Sequence, residues 1–190
     1  MYSDIEGVIL AGGESKRMGQ NKSLVKFNNK FLINHVYERL APQVSKIWIS
    51  ANEPIELYPK SIQFKDLINN HLGPLGGIHA GLFHSTKNWV QFCPNDCPFI
   101  PKNLVSILRA KINERKPKII VPTIEKKLEP VFILCHRSVI GNLESFIENG
   151  GRKIDAWIKK NDFELVEFKN SNAFININDQ KELKKNETKN

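Results

Sequence analysis

The residues best suited to chemistry lie in the loop "AGGESKRMGQNK", which follows an apolar run near the start of the chain. Gly12 and Gly13 leave bare backbone, whose N–H groups can approach phosphate oxygens closely. Arg17 and Lys22 add cations that neutralise phosphate charge. The loop therefore predicts a turn that binds a triphosphate after a buried strand.

Two familiar phosphate-binding patterns are absent from this loop. A P-loop needs a lysine directly after its second glycine, but Gln20 follows Gly19, and the spacing from Gly13 is one residue too long. The dinucleotide pattern G-x-G-x-x-G does not occur here either. On the residues alone, an alternative stays open in which the glycines only permit a tight turn and the cations are solvated.

A second stretch, "FCPNDCPFIP", carries a carboxylate in a stiff loop, because Asp96 lies between Pro94 and Pro98. A single carboxylate suits Mg²⁺, which takes one or two protein carboxylates and completes its shell with water and phosphate oxygens. The alternative is that Asp96 caps a helix or closes a turn. Cys93 and Cys97 lack a second Cys/His pair at zinc-finger spacing, so we interpret them as small buried side chains.

Apolar runs of β-branched and aromatic residues alternate with helical patterns along the chain, which predicts strands alternating with helices. The predicted strands are Gly7–Ala11, Lys46–Ala51, Ile62–Phe64, Trp89–Pro94, Lys118–Thr123, Val131–Cys135, Glu164–Phe168 and Phe174–Asn178. Apolar helix faces begin at Leu32, Leu104 and Val139, and "GPLGG" marks a loop that enters another helix. This order indicates an α/β fold with a mainly parallel sheet, whose ligands bind beyond the carboxyl ends of the strands.

Length and composition indicate one domain over residues 1–190, with a polar tail at about 184–190 that frays. No apolar run approaches the roughly 20 residues of a membrane span, and the amino terminus lacks a leader pattern. Three cysteines suit a reducing cytoplasm. The net charge of +8 favours an anionic partner, and its scatter favours a small phosphorylated ligand over nucleic acid.

Four stretches together resemble one enzyme family: "LAGGESKRMGQNK", "GPLGG", "FCPNDCPFIP" and "FININDQKEL". They are similar to the molybdenum cofactor guanylyltransferases, within the nucleotidyltransferase superfamily, and the resemblance runs from Gly7 to about Leu183. The glycine signature is shared with cytidylyl- and sugar-nucleotidyltransferases, so it indicates the superfamily. The Asp96 loop and the Asn176, Asn178 ending favour the guanylyltransferases.

The resemblance implies a three-layer Rossmann-like nucleotidyltransferase fold and a reaction. GMP would pass from GTP to the terminal phosphate of molybdenum-bound molybdopterin, with release of pyrophosphate and with Mg²⁺ as cofactor. The attacking phosphate is already ionised, so no catalytic Ser, Cys or His is needed. The resemblance implies that Arg17 and Lys22 bind the phosphates and that Asp96 binds Mg²⁺. These three are the expected catalytic residues. The remaining expected contacts to nucleotide or acceptor are Leu10, Ala11, Gly12, Gly13, Asn52, Asp66, Gly73, Gly77, Asn176 and Asn178.

Several alternatives stay open at this stage. Gly73 and Gly77 fit contact with a flat ring and fit close helix packing equally well. Ser50 and Asn21 depart from the residues usual in the family, Asn and Asp, which leaves base recognition at Ser50 open. Another nucleotidyltransferase, for molybdopterin cytidylyl transfer or sugar phosphates, or a non-catalytic nucleotide-binding module are the rival functions. Transient contact with cofactor-delivery and recipient enzymes is expected, and binding to nucleic acid or membrane is not.

Overall fold

The structure is a computed structural model that describes residues 1–12, 25–55, 62–68, 72–112 and 116–177. Its strands are β1 (Ile5–Leu10), β2 (Lys26–Phe27), β3 (Lys30–Phe31), β4 (Ile47–Ser50), β5 (Ile62–Phe64), β6 (Trp89–Pro94), β7 (Ile119–Ile124), β8 (Lys127–Leu128), β9 (Leu134–His136) and β10 (Phe163–Glu167). Its α-helices are α1 (Leu32–Leu40), α2 (Pro74–His84), α3 (Leu104–Arg109), α4 (Ile140–Glu148) and α5 (Ile154–Ile158).

Within the described residues, eight strands form one sheet in the order β10-β7-β9-β6-β1-β4-β5, with β8 paired to β7. The strands β6, β1, β4 and β5 are parallel neighbours. Strand β9 is antiparallel to both β6 and β7, so β7 and its parallel neighbour β10 run in the same direction as β6. The sheet is therefore mainly parallel, and six strands end at one edge, which we call the carboxyl edge. Strands β2 and β3 form a separate hairpin.

Side chains alternate between two cores along the central strand. Ile5 and Ile9 of β1 lie in a core with α1 and α3, whereas Val8 and Leu10 lie in a second core with α2, α4 and α5. This alternation follows from the two-residue period of a strand. Helices consequently cover both faces of the sheet. The three-layer α/β arrangement predicted from the sequence is confirmed.

Several strand boundaries differ from the predicted ones by one or two residues, and two predicted strands differ more. The strand predicted at Val131–Cys135 is observed at Leu134–His136. The strand predicted at Phe174–Asn178 is wrong for residues 174 to 177, because Ser171–Phe174 is a 3₁₀-helix and the residues after it pair with no strand. The N–H of Ile177 instead donates to the carbonyl oxygen of Asp96 at 2.9 Å.

Two further expectations concern the burial of the cysteines and the possibility of a membrane-spanning helix. Cys93, Cys97 and Cys135 are all buried and form no disulfide, and their burial confirms the interpretation of Cys93 and Cys97 as small buried side chains. Among the described residues, no helix combines the length and the apolar character that crossing a membrane requires.

Candidate active site

The loops that follow four adjacent parallel strands meet at the carboxyl edge. Leu10, the last residue of β1, lies opposite Ser50 of β4 on one side and Pro94 of β6 on the other. Ser50 in turn lies opposite Phe64, the last residue of β5. Because all four strands end at the same level, the residues directly after them face one crevice.

The turn after β1 is held from both sides by backbone hydrogen bonds. The N–H of Ala11 donates to the carbonyl of Ser50 at 2.8 Å, and the carbonyl of Leu10 accepts from the N–H of Asn95 at 3.1 Å. Gly12 follows and is exposed. A Cβ at Gly12 would make only ordinary contacts, the nearest at 3.9 Å, so packing does not demand a glycine there. Bare backbone at Gly12 is thus available to a ligand.

Asn52 and Asp66 form a reciprocal pair beside this turn. The Asn52 side-chain carbonyl accepts from the Asp66 backbone N–H at 2.9 Å, and its Nδ2 donates to Asp66 Oδ2 at 3.2 Å. Asn52 is exposed and Asp66 is half-buried. Asp66 Oδ1 receives no hydrogen bond from any residue within the described ranges. The pair therefore fixes the Asp66 carboxylate beside the carboxyl edge and leaves one of its oxygens available to a ligand.

Helix α2 approaches this pair through glycines. A Cβ on Gly76 would lie 2.8 Å from Asp66 Oδ2, and a Cβ on Gly77 would lie 2.6 Å from Ser50 Oγ. Gly77 is therefore required for close packing of α2 on β4, and its expected contact with a ligand ring stays a prediction. Gly73, which precedes the helix, is exposed with a φ of 56°, a backbone conformation that favours glycine.

Ser50, at the end of β4, is 1% exposed beneath α2. Its hydroxyl faces Gly77 and is shielded from solvent. In the described part of the loop after β4, the exposed polar side chains are those of Asn52 and Glu53. Of these two, Asn52 is held in position by its hydrogen bonds to Asp66.

Asp96 lies at the end of β6, next to the turn after β1. Its side chain is largely buried, with the residue 8% exposed, and its backbone carbonyl accepts from the N–H of Ile177. The Cys97 thiol lies 3.4 Å from Asp96 Oδ1 and also contacts Asn176 Oδ1. Burial raises the pKa of this thiol well above its usual value, and the negative charge of Asp96 raises it further. Cys97 therefore stays a neutral thiol that links Asp96 to the carboxy-terminal segment.

Aromatic packing fixes that carboxy-terminal segment. The ring of Phe174 lies 4.5 Å from the ring of Phe132 and 5.2 Å from that of Phe168, measured between centroids. Phe174 is buried in the core, whereas Asn176 two residues later is exposed. The segment thus brings the Asn176 amide beside Asp96 without forming a strand.

The donor set at Asp96 fits a magnesium ion that arrives with a nucleotide. Within the described ranges, no three His, Cys, Asp or Glu side chains cluster as a metal site would require. Mg²⁺ bound to a triphosphate needs only one or two carboxylates, because phosphate oxygens and water supply the other ligands. One buried carboxylate at the carboxyl edge meets that need.

Comparison with known proteins decides the family. A family described as "MobA-like NTP transferase domain" matches residues 7–164. A molybdenum cofactor guanylyltransferase of Vibrio parahaemolyticus is 42% identical over 179 residues, which cover 93% of this chain and 91% of the relative. The one from Vibrio vulnificus is 43% identical over 180 residues, with the same coverage. The chain belongs to the molybdenum cofactor guanylyltransferase family.

Solved structures agree in fold. A molybdopterin-guanine dinucleotide biosynthesis protein A from Archaeoglobus fulgidus superposes with a TM-score of 0.79 at 22% identity, covering 96% of this chain and 97% of its own. A protein from Aquifex aeolicus superposes with a TM-score of 0.77 at 23% identity, covering 94% of this chain and 95% of its own. The guanylyltransferase-family chain thus has the Rossmann-like nucleotidyltransferase fold. Its sequence relatives and the matching family make it an enzyme of the nucleotidyltransferase class.

The structure brings together most of the described residues expected of a molybdenum cofactor guanylyltransferase. Those at the carboxyl edge are Leu10, Ala11, Gly12, Asn52, Asp66, Asp96 and Asn176. Gly73 and Gly77 lie at the start of α2. Gly13, Arg17, Lys22 and Asn178, together with the departure at Asn21 and the tail at 184–190, lie outside the described residues.

Two features of this guanylyltransferase-family site were not predicted. The sequence gives no sign that Asn52 and Asp66 pair, because 14 residues separate them and no periodic pattern joins them. Cys97 was expected only to be buried, whereas it contacts both Asp96 and Asn176. Its place directly after Asp96 in a proline-bounded loop was the one available signal.

Proposed function

We propose that this enzyme transfers GMP from GTP to the terminal phosphate of molybdenum-bound molybdopterin and releases pyrophosphate. The observation that carries the proposal is the meeting of Leu10–Gly12, the Asn52–Asp66 pair and Asp96 at the carboxyl edge. The family relatives, at about 40% identity over nearly the whole chain, supply the substrates by their names.

In this proposal the nucleotide lies over the turn after β1. Leu10, Ala11, Gly12 and Gly13 contact the nucleotide. The N–H of Ala11 already donates to the carbonyl of Ser50, so the N–H groups of Gly12 and Gly13 are the ones that hold the phosphates. Asn52 and Asp66 contact the nucleoside, where Asp66 Oδ1 accepts a hydrogen bond from a donor of the base or the ribose. Gly73 and Gly77 remain proposed contacts for the ring, and of the two Gly73 is the exposed one.

Catalysis in this proposal is charge neutralisation that permits in-line attack. Arg17 and Lys22 neutralise the triphosphate, and the acceptor phosphate, already ionised at neutral pH, is the nucleophile. Asp96 would hold Mg²⁺, which when bound neutralises phosphate charge and favours departure of pyrophosphate. Asn176, which lies beside Asp96, contacts the acceptor, and Asn178 is proposed to do the same. No general base is required, because the nucleophile carries no proton that must leave.

The direct test of the Asp96 assignment is Asp96→Ala, with Asp162→Ala, an exposed carboxylate in another loop, as the control. Loss of a close charge should lower turnover by about a hundredfold or more, whereas the control stays near wild type. Thermal melting checks that Asp96→Ala still folds. Turnover within a few fold of wild type in a folded Asp96→Ala would remove Asp96 from the metal site.

Base choice separates this proposal from its nearest rival, cytidylyl transfer. Calorimetry with GTP, CTP and ATP in Mg²⁺ should show binding of GTP at a lower Kd than the other two. Tight CTP binding without GTP binding would favour the cytidylyl reaction.

We also expect the reaction to take place in the cytoplasm, with transient contacts to the proteins that deliver and receive the cofactor. The three buried free thiols are compatible with that compartment.

A further inference from the structure

A second group of loops shares the carboxyl edge with Asp96, on the side away from Asn52 and Asp66. Strands β7 and β10 end there, since they run in the direction of β6, and the chain enters β9 from the same edge. The segment that leads into β9 contains Glu129 and Phe132. This half of the edge is left for the acceptor, because the nucleotide contacts proposed above lie on β1, β4 and β5.

The backbone of Glu129 is fixed relative to Asp96. Its N–H donates to the carbonyl of Pro122 in β7 at 2.9 Å, and its carbonyl accepts from the N–H of Phe132 at 3.1 Å. Phe132 is fully buried and its ring packs on that of Phe174. Glu129 therefore belongs to the same rigid assembly as the carboxy-terminal segment beside Asp96.

The Glu129 side chain is half-buried and has no hydrogen-bond donor or cation from the described part of the chain. Burial raises the pKa of its carboxyl group. Its charge also contributes to raising the pKa of the Cys97 thiol, which contacts Asp96 and Asn176. The carboxylate thus lies close enough to this part of the carboxyl edge to act on it electrostatically.

Two other glutamates, in contrast to Glu129, accept hydrogen bonds from neighbouring side chains. Glu6 accepts hydrogen bonds from Trp48, Ser85 and Thr86, and Glu167 accepts one from Thr123 at 2.5 Å. A half-buried carboxylate without such donors is unfavourable in the free protein, because desolvation is not compensated. A bound ligand with N–H donors would supply the compensation.

The acceptor carries such donors. The pyrimidinone part of a pterin has an amino group beside a ring N–H, and the two oxygens of one carboxylate can accept from both. The phosphate end of the same molecule would be repelled by Glu129. We propose that Glu129 binds the amino and ring N–H edge of the pterin and so selects the acceptor. This assignment rests on the proposed function, since it takes molybdopterin as the acceptor.

The test is a comparison of Glu129→Gln and Glu129→Asp with Glu125→Gln, which removes the same charge from the exposed β7–β8 turn. Pyrophosphate release is measured while GTP and molybdenum-bound molybdopterin are varied separately. For Glu129→Gln the KM for molybdopterin should rise by about tenfold or more, because an amide cannot accept both hydrogen bonds. The KM for GTP and the melting temperature should stay near wild type. Glu129→Asp should show a smaller rise in the molybdopterin KM, and Glu125→Gln none.

Binding without turnover separates this assignment from the proposed function. Equilibrium binding of molybdenum-bound molybdopterin is measured by dialysis in the absence of GTP, with the molybdenum on each side of the membrane quantified. If the wild-type protein binds the pterin and Glu129→Gln does not, the assignment of Glu129 to the pterin is supported. This holds even if GTP gives no pyrophosphate. An unchanged acceptor Kd in Glu129→Gln, or equal losses of acceptor and GTP binding, would overturn the assignment.

Discussion

The Asn52 side-chain amide forms two hydrogen bonds with Asp66: it accepts from the backbone N–H and donates to the carboxylate. The two residues follow neighbouring parallel strands, β4 and β5, so the pair ties two loops of the carboxyl edge together. One oxygen of Asp66 is held by Asn52 and the other receives no hydrogen bond from the described residues. Asn52 therefore sets the direction in which Asp66 can meet a ligand.

Asn52→Ala should weaken GTP binding by about tenfold, because it removes a ligand contact and also releases Asp66. Calorimetry with GTP and Mg²⁺ measures the change. Asn88→Ala, an exposed asparagine before β6 at the opposite edge, is the matched control and should bind GTP normally. Wild-type GTP affinity in Asn52→Ala would show that the pair has no part in nucleotide binding.

Gly77→Ala should destabilise the fold and weaken GTP binding together. The added Cβ would lie 2.6 Å from Ser50 Oγ and 2.7 Å from Leu10 Cδ2, so α2 must move away from β1 and β4. We expect a loss of about 1–3 kcal/mol in the free energy of unfolding, as for other overpacked sites. Denaturant titration measures it.

Two variants make the Gly77 test specific. Gly141→Ala adds a methyl group in α4 where no atom lies within 4 Å, and it should be neutral or stabilising by about 0.5–1 kcal/mol. Ser50→Ala combined with Gly77→Ala should recover part of the loss, since it removes the nearest atom. Equal stability of Gly77→Ala and Gly141→Ala would contradict the packing role.

Glu6 should make stability depend on pH. Burial alone would raise the pKa of Glu6, but hydrogen bonds from Trp48, Ser85 and Thr86 outweigh burial and lower the pKa below its usual 4.5. The ionised form is therefore favoured in the folded protein. Its contribution is complete above pH 4.5 and is lost as the pH falls through the lowered pKa of the folded state.

Glu6→Gln is the variant that measures this contribution. It should cost about 1–3 kcal/mol of unfolding free energy at neutral pH, because the amide nitrogen faces hydrogen-bond donors. The difference from wild type should shrink below pH 4.5. Denaturant unfolding at several pH values tests both statements. A difference that is constant across that range would mean that the charge of Glu6 is unimportant.

Much of the fold follows from local patterns. The apolar runs at Trp89–Pro94 and Ile62–Phe64 were predicted with their observed bounds. "FINI" has the alternation of a strand, yet Phe174 turns into the core against Phe132 and the next residues pack on the Asp96 loop. A local pattern cannot show that tertiary contacts replace strand pairing.

Helix α2 is buried for most of its length, so it lacks the one-sided apolar pattern by which helices are recognised.

Some residues of the candidate site can likewise be recognised from the sequence, and others only from the structure. Gly12 and Asp96 stand in short, distinctive loops that indicate phosphate and metal chemistry from the sequence. Glu129 could not be found there, because its lack of partners depends on how three distant segments pack. The role of Gly77 in packing likewise depends on the depth at which Ser50 lies beneath α2.

The central claim is that this chain moves GMP onto molybdopterin, and following the α-phosphate tests it most directly. The protein is incubated with GTP labelled at the α-phosphorus, Mg²⁺ and molybdenum-bound molybdopterin, and parallel reactions contain labelled CTP or ATP. We predict that label from GTP enters a guanine dinucleotide of the pterin, with equal release of pyrophosphate. Transfer from CTP in place of GTP, or no transfer from any of the three nucleotides, would contradict the claim.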